Sequence, residues 1–164
     1  MTTDEIQNII DKVYPKIQKY YGKGKLDYPT IDTSYNNTYA MHSGEPEAEG
    51  EHMKTSIAEY NRGIIYLYLP NIKDEEGLLR AIIHEYTHYT QDSELFAKYR
   101  DMYDYDEDPT EVAAKENEED WNKKDDKGNY LFIRIRPSHM NGKTKLQALF
   151  NKVALLLLSL AMVN

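Results

Sequence analysis

The most informative absence in this 164-residue chain is cysteine, of which there is none. Without cysteine, the chain cannot build a disulfide framework, a thiol nucleophile or a zinc finger of the cysteine type. Any metal site must therefore be made from histidine, aspartate and glutamate. Basic residues are also in the minority, with 20 Lys and Arg against 28 Asp and Glu. The resulting net charge of −8 excludes a broad nucleic-acid surface, which needs clustered lysine and arginine.

Two further absences concern the location and organisation of the chain. The N-terminus lacks a basic start followed by an apolar run, so no secretory signal peptide is predicted and a cytoplasmic location is expected. No internal repeat and no flexible linker divides the chain. With 40% hydrophobic residues, the chain has the apolar content of a globular protein of this length. We therefore expect residues 1–164 to fold as a single domain.

The negative charge is concentrated in residues 101–126, which hold twelve acids and three lysines for a net charge of −9. The remaining residues carry 16 acids and 17 bases, a net charge of +1. A run of this kind usually forms solvated helix faces, and the alternatives are a weak calcium site or a preference for basic substrates. An EF-hand is excluded, because Pro109 stands where the calcium loop needs a glycine.

Hydrophobic periodicity predicts a mixed α+β fold. A capping box of Thr2 and Glu5 opens an amphipathic helix within residues 1–24, with a kink expected at Pro15. The β-branched and aromatic run Ile64–Leu69 is typical of a strand. A helix and a small sheet are thus expected in the first half of the chain.

Helices are expected to dominate the second half. The strongest pattern spans about Asp74–Asp92, where three acids precede a broad apolar stripe. After a connection rich in tyrosine and aspartate, a second helix is expected over about Pro109–Lys123, with Asp108 as its cap. Tyr130–Arg136 alternates as a strand does. Residues 26–123 are therefore expected to form the core that carries the site.

The C-terminal residues 144–163 predict a hydrophobic helix. Val153–Val163 is interrupted only by Ser159, whereas Gln147 and Lys152 break the apolar run before it. A spanning helix needs about 20 mostly apolar residues, so this segment is short for a membrane anchor. Burial in the core or at an oligomer interface is expected, with a membrane contact or disorder as alternatives.

The candidate metal-binding residues lie in an H-E-x-x-H motif at residues 84–88, inside the strongest predicted helix. Residues four apart project from one helical face, so His84 and His88 can reach the same ion. Glu85 lies about 100° around the helix, where a carboxylate can take a proton from a metal-bound water. Zinc lowers the pKa of such a water to about 7. Surface positions are expected for the other three histidines, His42, His52 and His139.

A catalytic zinc normally takes three protein ligands and leaves one position open, so a third ligand is needed. Glu111 lies near the start of the second predicted helix, 23 residues after His88, which leaves room for a loop and an antiparallel return. Glu116 lies five residues further and points in a different direction. Glu118 and Glu119 compete as well, and we favour Glu111. This donor set suits zinc best, although Fe, Co, Ni or Mn are chemically possible.

The H-E-x-x-H motif followed by Glu111-x-x-Ala114 resembles the gluzincin division of the zincin metallopeptidases, in particular its minimal members with an E-x-x-A third ligand. Gln91 and the Pro-x-Glu segment that begins at Pro109 are also similar to small uncharacterised bacteriophage proteins with H-E-x-x-H-x-x-Q. The likeness covers about Ile64–Asp120, a third of the chain.

This resemblance implies a zincin-like domain that binds one Zn²⁺ per chain. Its ligands would be His84, His88 and Glu111, and Glu85 would be the general base. In this family the strand before the motif often pairs with a bound peptide, and here that strand would be Ile64–Leu69. The family also uses a tyrosine or histidine to stabilise the transition state, and the nearby candidates are Tyr103 and Tyr105.

Three functions follow as expectations. The first is a zinc-dependent metallopeptidase acting on peptide or protein substrates, which the intact Glu85 favours. The second is a zincin-like structural or virion-associated phage protein that keeps the fold, with or without the metal, but has no relevant proteolysis. The third is a membrane-associated metalloprotein held by residues 144–163, which could instead form a homo- or hetero-oligomer. No nucleic-acid partner is expected, and the location is the cytoplasm or a phage virion.

Overall fold

A computed structural model describes residues 1–33 and 56–132 of the chain. Within these ranges, four α-helices and a small sheet form a mixed α+β fold, as the periodicity predicted. The elements in chain order are α1 (Thr3–Tyr21), β1 (Thr30–Asp32), β2 (Ala58–Asn61), β3 (Ile64–Leu67), α2 (Glu75–Thr90), α3 (Ser93–Met102) and α4 (Pro109–Glu118). Short 3₁₀ helices follow β3 and α4, at Leu69–Asn71 and Glu119–Asn122.

Helix α1 begins where the capping box was predicted. The Thr2 hydroxyl accepts a hydrogen bond from the Glu5 N–H (3.2 Å), and the Glu5 carboxylate accepts one from the Thr2 N–H (2.8 Å). The helix continues through Pro15 and ends at Tyr21, before Gly22, whose φ is 79°. One face of the helix enters the core through four side chains, Ile6, Ile10, Val13 and Ile17.

The sheet has the order β1-β3-β2, so β3 is its central strand. β1 pairs with β3 in parallel, and β2 pairs with β3 as an antiparallel hairpin. Alternate residues of β3, Ile65 and Leu67, are fully buried in the core. The prediction that Ile64–Leu69 is an edge that pairs with a peptide is wrong, because both sides of β3 are already hydrogen-bonded within the sheet. The outer strand of the hairpin is β2.

Helix α2 supplies a large part of the core. The Asp74 side chain caps its start by accepting a hydrogen bond of 2.8 Å from the Gly77 N–H. The helix ends at Thr90, two residues before the predicted end. Burial of each large apolar side chain contributes about 1.5–3 kcal/mol. Five fully buried residues form the core face of the helix, namely Leu78, Leu79, Ile82, Ile83 and Tyr86.

Helix α3 lies in a segment that was predicted to be an irregular connection. Its start is capped by Asp92, whose carboxylate accepts a hydrogen bond of 2.9 Å from the Glu94 N–H. None of its residues is buried. It therefore lacks the core-facing stripe on which the other helices could be recognised.

Helix α4 begins at Pro109, as predicted, with Asp108 as its cap. The Asp108 carboxylate is buried and accepts a hydrogen bond of 2.7 Å from the Thr110 N–H. The α-helix ends at Glu118, and the 3₁₀ helix Glu119–Asn122 continues to the residue before the predicted end at Lys123. Ala114 is fully buried, and its small side chain allows α4 and α2 to pack closely.

Several predictions concern residues outside the described ranges. They include the C-terminal helix at 144–163 and most of the strand Tyr130–Arg136. Tyr130 itself forms an isolated antiparallel bridge with Lys124. Over residues 1–33 and 56–132, no helix combines the length and the apolar content needed to cross a membrane. The surface positions predicted for three histidines also lie outside the described ranges, at His42, His52 and His139.

Candidate metal centre

Three side chains from two helices meet at one point. His84 and His88 lie about one turn apart on the same face of α2, and Glu111 comes from the first turn of α4. The Nε2 atoms of the two histidines are 3.0 Å apart. The carboxylate oxygens of Glu111 lie 3.3 Å from Nε2 of His84 and 3.5 Å from Nε2 of His88. These three residues could therefore hold a metal ion.

The distances fit a tetrahedral ion. Metal–ligand bonds of about 2.0–2.1 Å at tetrahedral angles place the ligand atoms about 3.3–3.4 Å apart. The two Nε2 atoms are 3.0 Å apart, and each lies 3.3–3.5 Å from a different oxygen of the Glu111 carboxylate, so all the donor atoms are close to that spacing. In addition, Oε2 of Glu111 is buried without a hydrogen-bond partner in the described structure. A buried carboxylate oxygen that lacks a donor is costly, and a cation at this position would satisfy it.

The second ring nitrogen of each histidine is held by an acceptor. Nδ1 of His84 lies 2.7 Å from Oε1 of Glu118, and Nδ1 of His88 lies 2.8 Å from Oε1 of Gln91. Both acceptors favour the tautomer with the proton on Nδ1. The lone pair of each Nε2 is then directed to the common point, which is the arrangement found around metal-bound histidines.

Gln91 also connects the two helices of the cluster. Its Nε2 donates a hydrogen bond of 2.8 Å to the backbone carbonyl of Thr110, the residue before Glu111. A carbonyl can only accept, so this bond turns the amide oxygen of Gln91 towards His88. One side chain thus orients His88 and holds the start of α4. In the sequence, Gln91 is recognisable only as part of a motif pattern, because its bond to α4 depends on the tertiary fold.

The other acids considered as third ligands have different places. Glu118 binds the outer side of His84. Glu119 lies on the surface and pairs with Arg80 at 2.6 Å. Glu116 is exposed on α4. Among these candidates, Glu111 is the one that the structure brings to the two histidines.

The charges of the metal-free cluster shift each other's pKa values. Burial alone lowers the pKa of His84, but the neighbouring carboxylates of Glu111 and Glu118 outweigh this effect and raise the pKa to about 10. Burial raises the pKa of Glu111, but the nearby imidazoles of His84 and His88 hold that pKa well below its usual range. In the metal-free cluster, the His84 imidazole is therefore in its cationic form at neutral pH. A metal ion must displace the proton on its Nε2 atom.

Glu85 lies beside the cluster, between α2 and the outer strand β2. Its Oε2 accepts a hydrogen bond of 2.7 Å from the backbone N–H of Tyr60. Burial raises the pKa of the Glu85 carboxyl, and the neighbouring imidazoles of His84 and His88 offset part of this rise. A carboxyl group with a raised pKa thus stands next to the three candidate ligands without being one of them.

Of the two tyrosines considered as transition-state groups, Tyr105 is the one beside the cluster. Burial of its hydroxyl and the negative charge of Glu111 raise the pKa of Tyr105, although 62% of the residue is exposed. Tyr105 and His84 line the same cavity. Tyr103 packs instead against Tyr99, with ring centroids 5.8 Å apart.

Two cavities flank the cluster. The first, of about 400 Å³, is lined by His88 and is called here the His88 cavity. The second, of about 350 Å³, is lined by His84 and is called the His84 cavity. Strand β2 contributes to both, through Tyr60 on the His88 side and Ala58 on the His84 side. The outer strand therefore passes along the cluster from one cavity to the other.

Comparisons with protein-family models, with curated proteins and with solved structures each found no match to this chain. The structure itself shows a mixed α+β fold and a His-His-Glu group that could hold a metal ion. A function has to be inferred from this group and from the side chains around it.

Proposed function

We propose that this chain is a zinc-dependent peptidase with a zincin-like arrangement of its metal site. Zinc is favoured because two imidazoles and one carboxylate, with a fourth position left open, are its usual catalytic donor set. His84, His88 and Glu111 would hold the ion. The observation that carries the proposal is the position of Glu85, whose carboxylate lies beside the cluster and next to the outer strand.

The side chains around the cluster would have different roles in peptide hydrolysis. A bound zinc ion would supply an activated water at neutral pH and polarise the substrate carbonyl. Glu85 is placed to take the proton from the attacking water and to pass it to the leaving amine, and its raised pKa suits both steps. Tyr105 stays protonated because its pKa is raised, so its hydroxyl can donate to the carbonyl oxygen as negative charge develops there.

The outer strand supports a peptide as the substrate. In the part of the chain that the structure describes, β2 lies at the edge of the sheet, and it contacts Glu85 through the Tyr60 N–H. An extended peptide can add to such an edge by main-chain hydrogen bonds. The cavities at the two ends of β2 then offer space for side chains on either side of the cleaved bond.

A second function has one observation in its favour. The hydrogen bond between Glu85 and the Tyr60 N–H also fastens β2 to α2, so the carboxylate has a structural role that does not need catalysis. A zincin-like structural or virion-associated protein could keep Glu85 for this reason alone. Such a protein would hold its metal or its fold without cleaving peptides.

The two functions differ in one substitution. Purified wild-type protein is expected to contain about one zinc ion per chain and to cleave members of a peptide library. Glu85→Gln should retain the metal, because the amide oxygen can still accept the Tyr60 N–H, but should lose about 10²–10⁴-fold in kcat. Metal content is measured by elemental analysis and cleavage by mass spectrometry.

Glu116→Gln is the matched control, since it makes the same chemical change at an exposed position of α4. It should leave both zinc content and cleavage unchanged. Full activity in Glu85→Gln would overturn the role of the general base. A zinc-containing wild type that cleaves no peptide would support the structural function instead.

A further inference from the structure

Basic side chains surround the His88 cavity. Lys25, Arg62 and Arg100 all line it. Lys25 is paired with Asp92. Arg100 lies over the ring of Phe96, 5.9 Å from its centroid. Among the described residues, neither Arg62 nor Arg100 has a carboxylate within ion-pair distance. Two exposed arginines thus line one cavity without a carboxylate partner among the described residues, which leaves them available to an anion.

The acid that lines the same cavity does not neutralise these arginines. Glu59 accepts a hydrogen bond of 2.8 Å from the Tyr68 hydroxyl. Apart from Lys25, which Asp92 pairs, the cavity lining has two basic side chains against one acidic side chain, in a chain whose net charge is −8. An excess of positive charge in so acidic a chain favours binding of a negatively charged group.

The backbone at Arg62 gives an independent reason to assign its side chain a function. Arg62 and Gly63 form the two-residue loop of the β2–β3 hairpin, with φ values of 47° and 88°. Such loops with two positive φ angles prefer Asn-Gly, and a positive φ is uncommon for arginine. An arginine therefore occupies a position where asparagine would be adopted at lower cost. A function of its side chain beside the cavity would offset this cost.

The His84 cavity differs in its charges. Its basic lining residue, Arg80, is bound by Glu119 at 2.6 Å and by Glu76 at 2.9 Å. Of its two acidic residues, Glu118 is bound to His84 and Glu85 accepts a hydrogen bond from the Tyr60 N–H. The charged side chains of this cavity are thus paired within the protein, in contrast to the two arginines on the other side of the cluster.

We propose that the His88 cavity binds a carboxylate of the peptide substrate through Arg62 and Arg100, an inference that rests on the peptidase function proposed above. The ring of Phe96 packs against His88, with centroids 5.3 Å apart, and Tyr60 extends this aromatic wall. The wall can receive the methylene groups of a side chain while the guanidinium groups bind its acid. The carboxylate can belong to an aspartate or glutamate side chain or to the C-terminus of the peptide.

Binding of matched peptides to the zinc-loaded full-length protein tests this inference. Fluorescence anisotropy is measured for a positional set of labelled peptides in which glutamate replaces glutamine at one place at a time. Each peptide is made with a free and with an amidated C-terminus, so that the two sources of carboxylate are separated. At low salt, we expect one placement of the carboxylate to tighten binding about tenfold or more, as charge-assisted hydrogen bonds do.

The decisive variants are Arg62→Asn and Arg100→Gln. Each should reduce the preference for the acidic peptide to about twofold or less, while binding of the neutral peptide changes little. Arg62→Asn is expected to fold at least as well as the wild type, because asparagine suits the turn. Lys12→Gln, which removes an exposed positive charge on α1, is the control and should keep the full preference.

The outcomes separate this inference from the proposed function. Cleavage without any preference for an acidic peptide, or a preference that survives in both arginine variants, overturns the carboxylate site and leaves the peptidase intact. A preference for the acidic peptide that depends on both arginines, without any cleavage, supports the site and contradicts the peptidase. Failure of every acidic peptide to bind overturns the site.

Discussion

The two histidines of the cluster depend on neighbours that do not touch the metal position. Glu118 holds Nδ1 of His84, and Gln91 holds Nδ1 of His88 while also binding the carbonyl of Thr110. Such partners orient the imidazole and increase its basicity. The affinity for metal is therefore set by five side chains, of which three were proposed as ligands from the sequence.

Removal of either outer partner should weaken the metal site without destroying it. We expect Glu118→Gln and Gln91→Leu each to lower zinc affinity by about 10–100-fold, measured by competition with a chromophoric chelator. Glu116→Gln, on the same helix as Glu118 but exposed, should bind zinc as the wild type does. Unchanged affinity in both test variants would show that these hydrogen bonds do not support the site.

The affinity for zinc should also rise with pH. In the metal-free protein, the carboxylates around His84 raise its pKa to about 10, so the imidazole is protonated at neutral pH. Zinc needs the neutral imidazole, and higher pH reduces the competition from protons. Below the pKa of His84, one displaced proton corresponds to about a tenfold gain in affinity per pH unit. Chelator competition between about pH 6 and pH 8, corrected for the chelator's own protonation, measures this slope, and a flat profile would contradict it.

At the scale of single elements, helix α4 is positioned by its cap. Asp108 is buried and accepts hydrogen bonds from both the N–H and the hydroxyl of Thr110, at 2.7 and 2.5 Å. Glu111 stands in the turn that this cap holds. The direction in which the third candidate ligand points therefore depends on a residue that is not itself in the cluster.

Loss of this cap should affect both stability and metal binding. Asp108→Ala is expected to lower the free energy of unfolding by about 1–2 kcal/mol and to weaken zinc binding as well, because the first turn of α4 loosens. Asp74→Ala removes the equivalent cap of α2, far along the helix from His84, and should cost stability with little change in affinity. Denaturant unfolding and zinc titration distinguish the two. If both variants lose the same zinc affinity, the loss is caused by general destabilisation of the fold and not by the first turn of α4.

Local sequence patterns predicted some of these elements and missed others. α1, α2 and α4 were predicted close to their observed bounds, because caps and apolar periodicity are local signals. α3 was missed because none of its residues is buried, which removes the periodic stripe. The edge strand was misplaced for a different reason. The parallel pairing of β1 with β3 puts β3 in the centre of the sheet, and strand order is not encoded in any local pattern.

At the scale of the whole molecule, the acidic segment 101–126 is bound to the rest of the fold by individual contacts. Glu119 pairs with Arg80 at 2.6 Å, and Asp120 accepts a hydrogen bond of 2.9 Å from the Tyr21 hydroxyl. Within this segment, Glu111 is the acid placed at the two histidines. A metal ion at the cluster would therefore contact this segment through Glu111, while other acids of the segment pair with basic or hydroxyl side chains of the fold.

Metal binding should consequently stabilise the whole fold, since it joins α2 to α4. With free zinc at about 100 times its Kd, the stabilisation is about 2.7 kcal/mol, which corresponds to a rise in Tm of about 5–10 °C for a domain of this size. Thermal melts with zinc and with chelator measure the difference. His84→Ala should melt at the same temperature under both conditions. If the Tm of the wild type does not change with zinc, the acidic segment is better explained as a set of solvated helix faces.

Local patterns were sufficient for the α+β class, the helix starts and the placing of His84, Glu85 and His88 on one helix, because each depends on residues within about one or two turns of each other. Over residues 1–33 and 56–132, the tertiary structure decided which glutamate meets the histidines, which strand lies outside, and that two arginines without a carboxylate partner line one cavity. Those features join residues far apart in the sequence. They follow from how helices and strands pack, and no periodicity or spacing within a single element contains that information.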